Sequence, residues 1–219
     1  KLIQLKKKNK ITLIQNKALE LCMFLSIPAT IALILASEEI ISALFGYGSF
    51  SEESVINSSK ALFYFGLGLP AFSLIKVFSS FFFANQDTKT PFYVSLVSVF
   101  LNIVVSISYF EEFGFIIIPI STTISSWFNS ILLFILLKNK NLFKFNEIFI
   151  VRFIKIVIAS ILMGIFFNFL IFLFSSYLIY DYSFKSIYLI LCVFLSLVFY
   201  LLVAFFINAI KYDDIKLRY

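Results

Sequence analysis

The stretch Ala61-Leu-Phe-Tyr-Phe-Gly-Leu-Gly-Leu-Pro70-Ala-Phe-Ser-Leu-Ile-Lys76-Val-Phe-Ser-Ser-Phe-Phe-Phe-Ala84 decides the fold. It is apolar nearly throughout, carries one charge, and exceeds the roughly 20 helical residues that cross a hydrocarbon core of about 30 Å. Its apolar residues do not alternate with period two, and an open sheet facing lipid would leave backbone groups unpaired, so a strand is excluded. Five further stretches have the same character: Leu19–Ala36, Phe92–Phe110, Phe115–Leu137, Ile154–Phe174 and Ile187–Ile210. Composition agrees. The chain is 61% hydrophobic and 14% charged, with a mean hydropathy of +1.01, whereas soluble domains run at about 45–50% apolar and about 25% charged. The sequence therefore predicts an all-α integral membrane protein of about six transmembrane helices.

The loops hold most of the charge, and its sign alternates between them. With the N-terminus inside, the inner segments carry Lys1, Lys6, Lys7, Lys8, Lys10, Lys17, Lys89, Lys138, Lys140, Lys144, Arg152, Lys155, Lys211, Lys216 and Arg218. The outer segments carry only Lys60 and Lys185, beside Glu38, Glu39, Glu52, Glu53, Glu111, Glu112 and Asp181. The positive-inside rule then puts both ends of the chain in the cytoplasm. The chain divides into a basic cytoplasmic segment (1–17), four spans (18–137), a cytoplasmic loop (138–153), two spans (154–210) and a cytoplasmic tail (211–219). The net charge of +6 follows from this topology and gives no reason to expect a nucleic-acid partner.

Several chemistries find no support. There is no His, the commonest general base and metal ligand. Cys22 and Cys192 lie far apart in apolar stretches, which gives neither metal spacing nor a disulfide framework. The first residues are polar and basic, unlike a signal peptide, and look like the middle of a longer protein. The 31 Phe residues accompany abundant Ile, Lys and Asn, the bias of an A/T-rich coding sequence, and carry no functional weight.

Local signals mark the span ends. Ser51 before Glu52 and Glu53 reads as an N-cap followed by an acidic first turn. Thr90-Pro91 reads as N-cap and first helical residue. Pro28, Pro70 and Pro119 fall inside spans, where each removes a backbone donor that neighbouring helices must replace. Lys76 sits about 12 Å from the cytoplasmic end of its helix, deeper than a lysine stem reaches. A charge there costs about 2.5–3.5 kcal/mol on insertion scales. Two readings stay open: a cavity-lining cation, or a lysine that snorkels or is paired internally.

The second span and the loop after it resemble the MurJ (MviN) family, the flippases of lipid-linked peptidoglycan precursors. The resemblance rests on Gly68-Leu69-Pro70-Ala71-Phe72, Leu74-Ile75-Lys76-Val77 and, above all, Phe82-Phe83-Ala84-Asn85-Gln86-Asp87-Thr88-Lys89-Thr90-Pro91. Leu44-Phe45-Gly46-Tyr47-Gly48-Ser49-Phe50 resembles the family's motif in the preceding outer loop. It implies a bacterial cytoplasmic-membrane transporter, not an enzyme, with fourteen helices of which this chain resembles the last six. On that reading Asp87, Thr88, Lys89, Thr90 and Pro91 are family motif, and Ile154–Phe174 with Ile187–Ile210 are the two extra helices that help form a groove for the polyprenyl tail. The partners would be the lipid-linked precursor, membrane lipids and the missing N-terminal helices.

The family's essential arginines lie in those earlier helices, which leaves Lys76 as the one cavity cation here. Some members are similar in holding a sodium ion between spans three and four through an Asn, an Asp four residues on and a Thr. In this sequence Asn102 and Thr122 match, and Ser106 stands where the Asp would fall, which removes a charged ligand for a hard cation. A sodium site at Asn102, Ser106 and Thr122 and plain interhelical hydrogen bonding both stay open; no other cofactor is implied. Two other functions compete: a related exporter of polyprenyl-linked saccharides or drugs, and a membrane-embedded polyprenyl-lipid enzyme. The second usually needs clustered acids or His, and the cytoplasmic acids Glu20, Asp87, Glu147, Asp213 and Asp214 are scattered.

Overall fold

The computed structural model describes residues 2–209, with side chains from Lys10 onward. The described residues form α1 (Leu2–Leu35), α2 (Ser37–Phe45), α3 (Glu52–Ala84), α4 (Lys89–Phe113), α5 (Ile117–Asn139), α6 (Glu147–Leu173) and α7 (Lys185–Phe206). Single 3-10 turns, Gly114–Ile116 and Ser175–Tyr177, follow α4 and α6, and no strand occurs among the described residues. The expected tail 211–219, and Ile210 at the end of the last expected span, lie outside them.

The helices cover the six expected spans but overrun several ends. α1 starts at Leu2, because the basic segment lacks Gly and Pro and is rich in Leu, Lys and Gln, which favour helix. Charge marks where a chain leaves lipid, not where a helix stops. For the same reason α6 starts at Glu147, inside the expected loop. The outer connection after the first span contains the extra helix α2. α3 starts where the Ser51 signal put it, and Ser51 Oγ accepts the Ser54 amide at 3.2 Å.

Three helices stop in the same way. After α3, Gln86 adopts φ 62°, its amide donates to the Phe83 carbonyl, and the Asp87 amide donates to the Phe82 carbonyl. Asn141 after α5 (φ 54°) and Asn208 after α7 (φ 53°) repeat the left-handed φ and both bonds. This is the Schellman stop, which satisfies carbonyls that a helix end leaves bare.

Residues 89–139 form one apolar helical run of 51 residues, yet it is two passes. Asn102 Nδ2 lies 3.1 Å from Thr122 Oγ1, whereas residues 20 apart on one helix would be about 30 Å apart. The reversal happens at Gly114, whose φ of 59° and ψ of −144° suit essentially only glycine. Together with the four other apolar helical runs, the hairpin gives six passes.

The chain packs as two compact units, Lys1–Ser26 with Leu67–Val151 and Ile27–Gly66 with Arg152–Tyr219. In the first, Phe78, Phe81, Phe134, Phe143, Phe145 and Phe149 form an aromatic cluster with ring centroids 4.9–6.4 Å apart. The 140–146 loop is tied to α1 there. Gln15 Nε2 donates to the Leu142 carbonyl, Asn16 Nδ2 donates to the Lys144 carbonyl, and the Asn146 amide donates to Asn16 Oδ1. The second unit has a core of Ala36, Ala43, Phe167, Leu170, Ile171, Leu178, Leu189 and Cys192.

The polarity of α7 is inverted relative to a soluble helix. Its buried residues, Lys185, Leu189, Cys192, Ser196, Tyr200 and Ala204, recur every three or four positions on one face. Its exposed face carries Ile190, Phe194, Leu201, Leu202 and Phe205. Cys192, Ser196 and Ala204 pack inward between the larger Leu189 and Tyr200, while the outer face is covered by large hydrophobes, as expected where the solvent is lipid. The chain is a multi-pass membrane protein.

A Gly114→Ala variant tests the reversal. It should lower stability by about 1–3 kcal/mol, read by SDS-induced unfolding in mixed micelles, and unchanged stability would place the turn elsewhere.

Candidate functional site

The first unit carries the residues that the sequence marked for function. Lys76 lies on α3, two turns above Ala84, with an exposed side chain. No carboxylate reaches it within ion-pair distance among the described residues. The helix around it is shaped by Gly68 and Pro70. A Cβ at Gly68 would meet Thr123 Oγ1 of α5 at 2.9 Å and the Phe72 ring at 3.0 Å, so glycine permits the close approach of α3 and α5. Pro70 deprives the Gly66 carbonyl of its helical donor. One residue on, the Trp127 indole donates to the Leu67 carbonyl at 3.0 Å, tying α5 to α3 beside Pro70.

The polar set on α4 and α5 comes together as its spacing implied. Asn102 Nδ2 donates to Thr122 Oγ1 at 3.1 Å and to Ser125 Oγ at 3.4 Å. Ser106 Oγ and Ser121 Oγ are 2.6 Å apart, and the Thr122 hydroxyl donates back to the Ile118 carbonyl. This is a closed seam of interhelical hydrogen bonds. The Asn102 amide turns its nitrogen, not its oxygen, toward Thr122 and Ser125. A cation would need that amide flipped. Among the described residues no three His, Cys, Asp or Glu side chains converge on a metal position.

The motif after α3 is a helix start locked by an ion pair. Asp87 Oδ1 accepts the Thr90 amide at 3.0 Å and Oδ2 accepts the Thr90 hydroxyl at 2.7 Å. The capping side chain is therefore Asp87, not Thr90 as the sequence suggested, and α4 starts at Lys89. Pro91 still falls in the first turn, where its missing N–H costs nothing. Lys140 Nζ donates to Asp87 Oδ2 at 2.6 Å and to Thr90 Oγ1 at 2.9 Å, joining the α3–α4 turn to the end of α5. The Lys140 ammonium first, then the Thr90 amide and hydroxyl, hold the Asp87 carboxyl well below the usual carboxylate range. A depressed carboxylate contributes stability above its unfolded pKa and loses it as pH falls through the folded value. Asp87 thus stays ionised across the neutral range.

Sequence reasoning missed a second lysine. Lys185, counted there as an outer-loop charge, is 1% exposed. Its ammonium donates to the Gly46 carbonyl at 2.7 Å and to the Tyr180 carbonyl, and lies 4.5 Å from the centroids of Tyr47 and Tyr180. Ser186 joins it, donating to the Ala43 carbonyl and contacting Tyr47 Oη at 2.6 Å. The clamp thereby ties the Leu44–Phe50 motif to the α6–α7 connection. The aromatic residues around Gly46 and near Asp181 were its only sequence signal.

The sequence model of a family described as lipid II flippase MurJ matches residues 1–189. The chain belongs to this family. Proteins described as probable lipid II flippase MurJ are similar to it. That of Rhizobium meliloti (strain 1021) is 36% identical over 151 residues, covering 69% of this chain and 28% of the relative. That of Buchnera aphidicola subsp. Schizaphis graminum (strain Sg) is 30% identical over 207 residues, covering 91% of this chain and 39% of the relative. A solved structure described as lipid II flippase MurJ in an inward closed conformation matches with a TM-score of 0.74 and 24% identity. That match covers 96% of this chain and 41% of the solved one and supports the MurJ fold. The chain thus spans well under half the length of these MurJ relatives.

The motif geometry predicts an order of effects. Lys140 is 45% exposed, where ion pairs contribute little, whereas Asp87 also caps α4. Asp87→Ala should therefore lower the melting temperature in detergent more than Lys140→Ala does. Equal losses would mean that the pair, not the cap, holds the turn.

Proposed function

We propose that these six helices serve in flipping lipid II, the lipid-linked peptidoglycan precursor, across the bacterial cytoplasmic membrane. The single observation that carries the reading is the family match over residues 1–189, which includes the Asp87–Pro91 motif. Residues 18–137 act as four helices of the second lobe and 154–210 as the two additional helices, joined through 138–153. The remaining length of the relatives supplies the rest of the transport path, so those further helices are the chain's working partners. The basic residues at alternate loops support placing segments 1–17, 138–153 and 211–219 in the cytoplasm.

Lys76 is the cavity residue on this reading. Its support is physical: an ammonium about 12 Å inside a helix end, with no carboxylate within ion-pair distance among the described residues, needs polar surroundings in lipid. A water-lined cavity supplies them, and a phosphate headgroup there would pair with the charge. The Asn102, Ser106 and Thr122 seam holds α4 against α5. A sodium ion at that place would displace hydrogen bonds that are already made, so we assign the seam to packing.

Lys76→Met in the full-length flippase should reduce transport of the precursor by about tenfold or more, the worth of one charge-assisted contact. Complementation of a flippase-depleted strain, with a precursor-translocation assay, reads this directly. Unimpaired growth and translocation would remove Lys76 from the substrate path.

A further inference from the structure

The first unit holds a cavity of about 480 Å³ at the end of α5. Three rings line it, Phe134, Phe143 and Phe145, packed on one another with centroids 4.9–6.4 Å apart. Lys138 and Lys144 stand beside them. Neither ammonium is ion-paired or hydrogen-bonded among the described residues, whereas Lys140 between them is committed to Asp87 and Thr90. Asn139 and Asn141 complete the lining; both are exposed, and their side-chain amides also lack a partner among the described residues. No acid is among the described residues that border the cavity.

Lysines at inner loops are ordinary, and two further features set this place apart. The first is its backbone. A helix C-terminus normally disfavours an anion, because its last carbonyls are bare and carry partial negative charge. Here the Leu136, Leu137 and Lys138 carbonyls accept the Lys140, Leu142 and Asn141 amides. The Leu142 and Lys144 carbonyls accept the Gln15 and Asn16 side chains of α1. The loop is thereby fixed in place, and the acceptors that would oppose an anion are already used.

The second feature is depth. α5 has 23 residues and is about 35 Å long, more than a hydrocarbon core of about 30 Å, which puts its last turn at the level of the headgroups. Phe145 is 47% exposed there, and Ile135 in α5 and Ile148 in the first turn of α6 are exposed as well. A soluble anion would satisfy the two ammoniums and leave these apolar side chains in water. An amphiphile covers both.

We propose that this cavity binds the headgroup of an anionic phospholipid of the cytoplasmic leaflet. Its phosphate is shared between Lys138 and Lys144, with the Asn139 and Asn141 amides as further donors, and its glycerol and first acyl carbons lie on Phe134 and Phe145. The choice of leaflet rests on the orientation proposed above; the site itself does not. A zwitterionic lipid fits less well, because its cationic end finds no carboxylate in the lining.

The test uses the full-length flippase in phosphatidylcholine nanodiscs that carry a small fraction of photoactivatable phosphatidylglycerol, with the adducts mapped by peptide mass spectrometry. Adducts should concentrate on residues 134–145, and unlabelled phosphatidylglycerol should suppress them at least tenfold more effectively than added phosphatidylcholine. Lys138→Gln combined with Lys144→Gln should reduce them by about tenfold or more, since each lysine near an anionic lipid is worth about fivefold. Lys10→Gln combined with Lys89→Gln, which removes two exposed lysines outside the cavity, should leave them unchanged. Adducts spread evenly over the basic loops, or equal suppression by the two lipids, would overturn the proposal. Suppression by inorganic phosphate or ATP would overturn it in favour of a soluble anion. The mapping on the unaltered protein decides the matter even if a variant fails to fold.

Discussion

Inside hydrocarbon no water is available to a backbone amide or carbonyl, and every other feature of this chain follows from that constraint. Each pass must close its own hydrogen bonds, so each pass is a helix. Trouble then concentrates where a helix bends or stops, and there the chain spends its polar side chains. Trp127 supports the backbone beside Pro70, Asp87 and Thr90 begin α4, and Gln86, Asn141 and Asn208 complete helix ends in the left-handed conformation.

Packing inside each unit obeys the same constraint from the other direction. Burying Leu or Phe gains little when lipid is as apolar as they are, so close contact and hydrogen bonds do the joining. That explains why Ser121, Ser125, Ser126, Asn129 and Ser130 are buried on α5 while Ile124 and Ile131 face out. It also explains Gly68 against Thr123. Lys185 is the extreme case: a buried ammonium satisfied by two carbonyls and two ring faces, with no carboxylate paired to it among the described residues.

The sequence was informative wherever a signal was local or periodic. Length and hydropathy located the six passes, the Ser51 cap located the start of α3, and four-residue spacing put Asn102 and Ser106 on one helix face within reach of Thr122. Long-range partnerships were not legible. Nothing near Lys140 announces Asp87, 53 positions away, and nothing near Asn16 announces the loop carbonyl of Lys144. Charge was the most misleading guide to local structure. It placed α1 and α6 too short and counted the buried Lys185 as an outer-loop charge.

The account stands on the α4–α5 run being two passes, which puts Glu112 and Lys138 on opposite sides of the membrane. The direct measurement is labelling of single cysteines, Glu112→Cys and Lys138→Cys, in a background of Cys22→Ala and Cys192→Ala, with a membrane-impermeant maleimide on intact cells. Glu112→Cys should label at once and Lys138→Cys only after permeabilisation. Labelling of both from the same side would contradict the hairpin, and with it the six-pass fold.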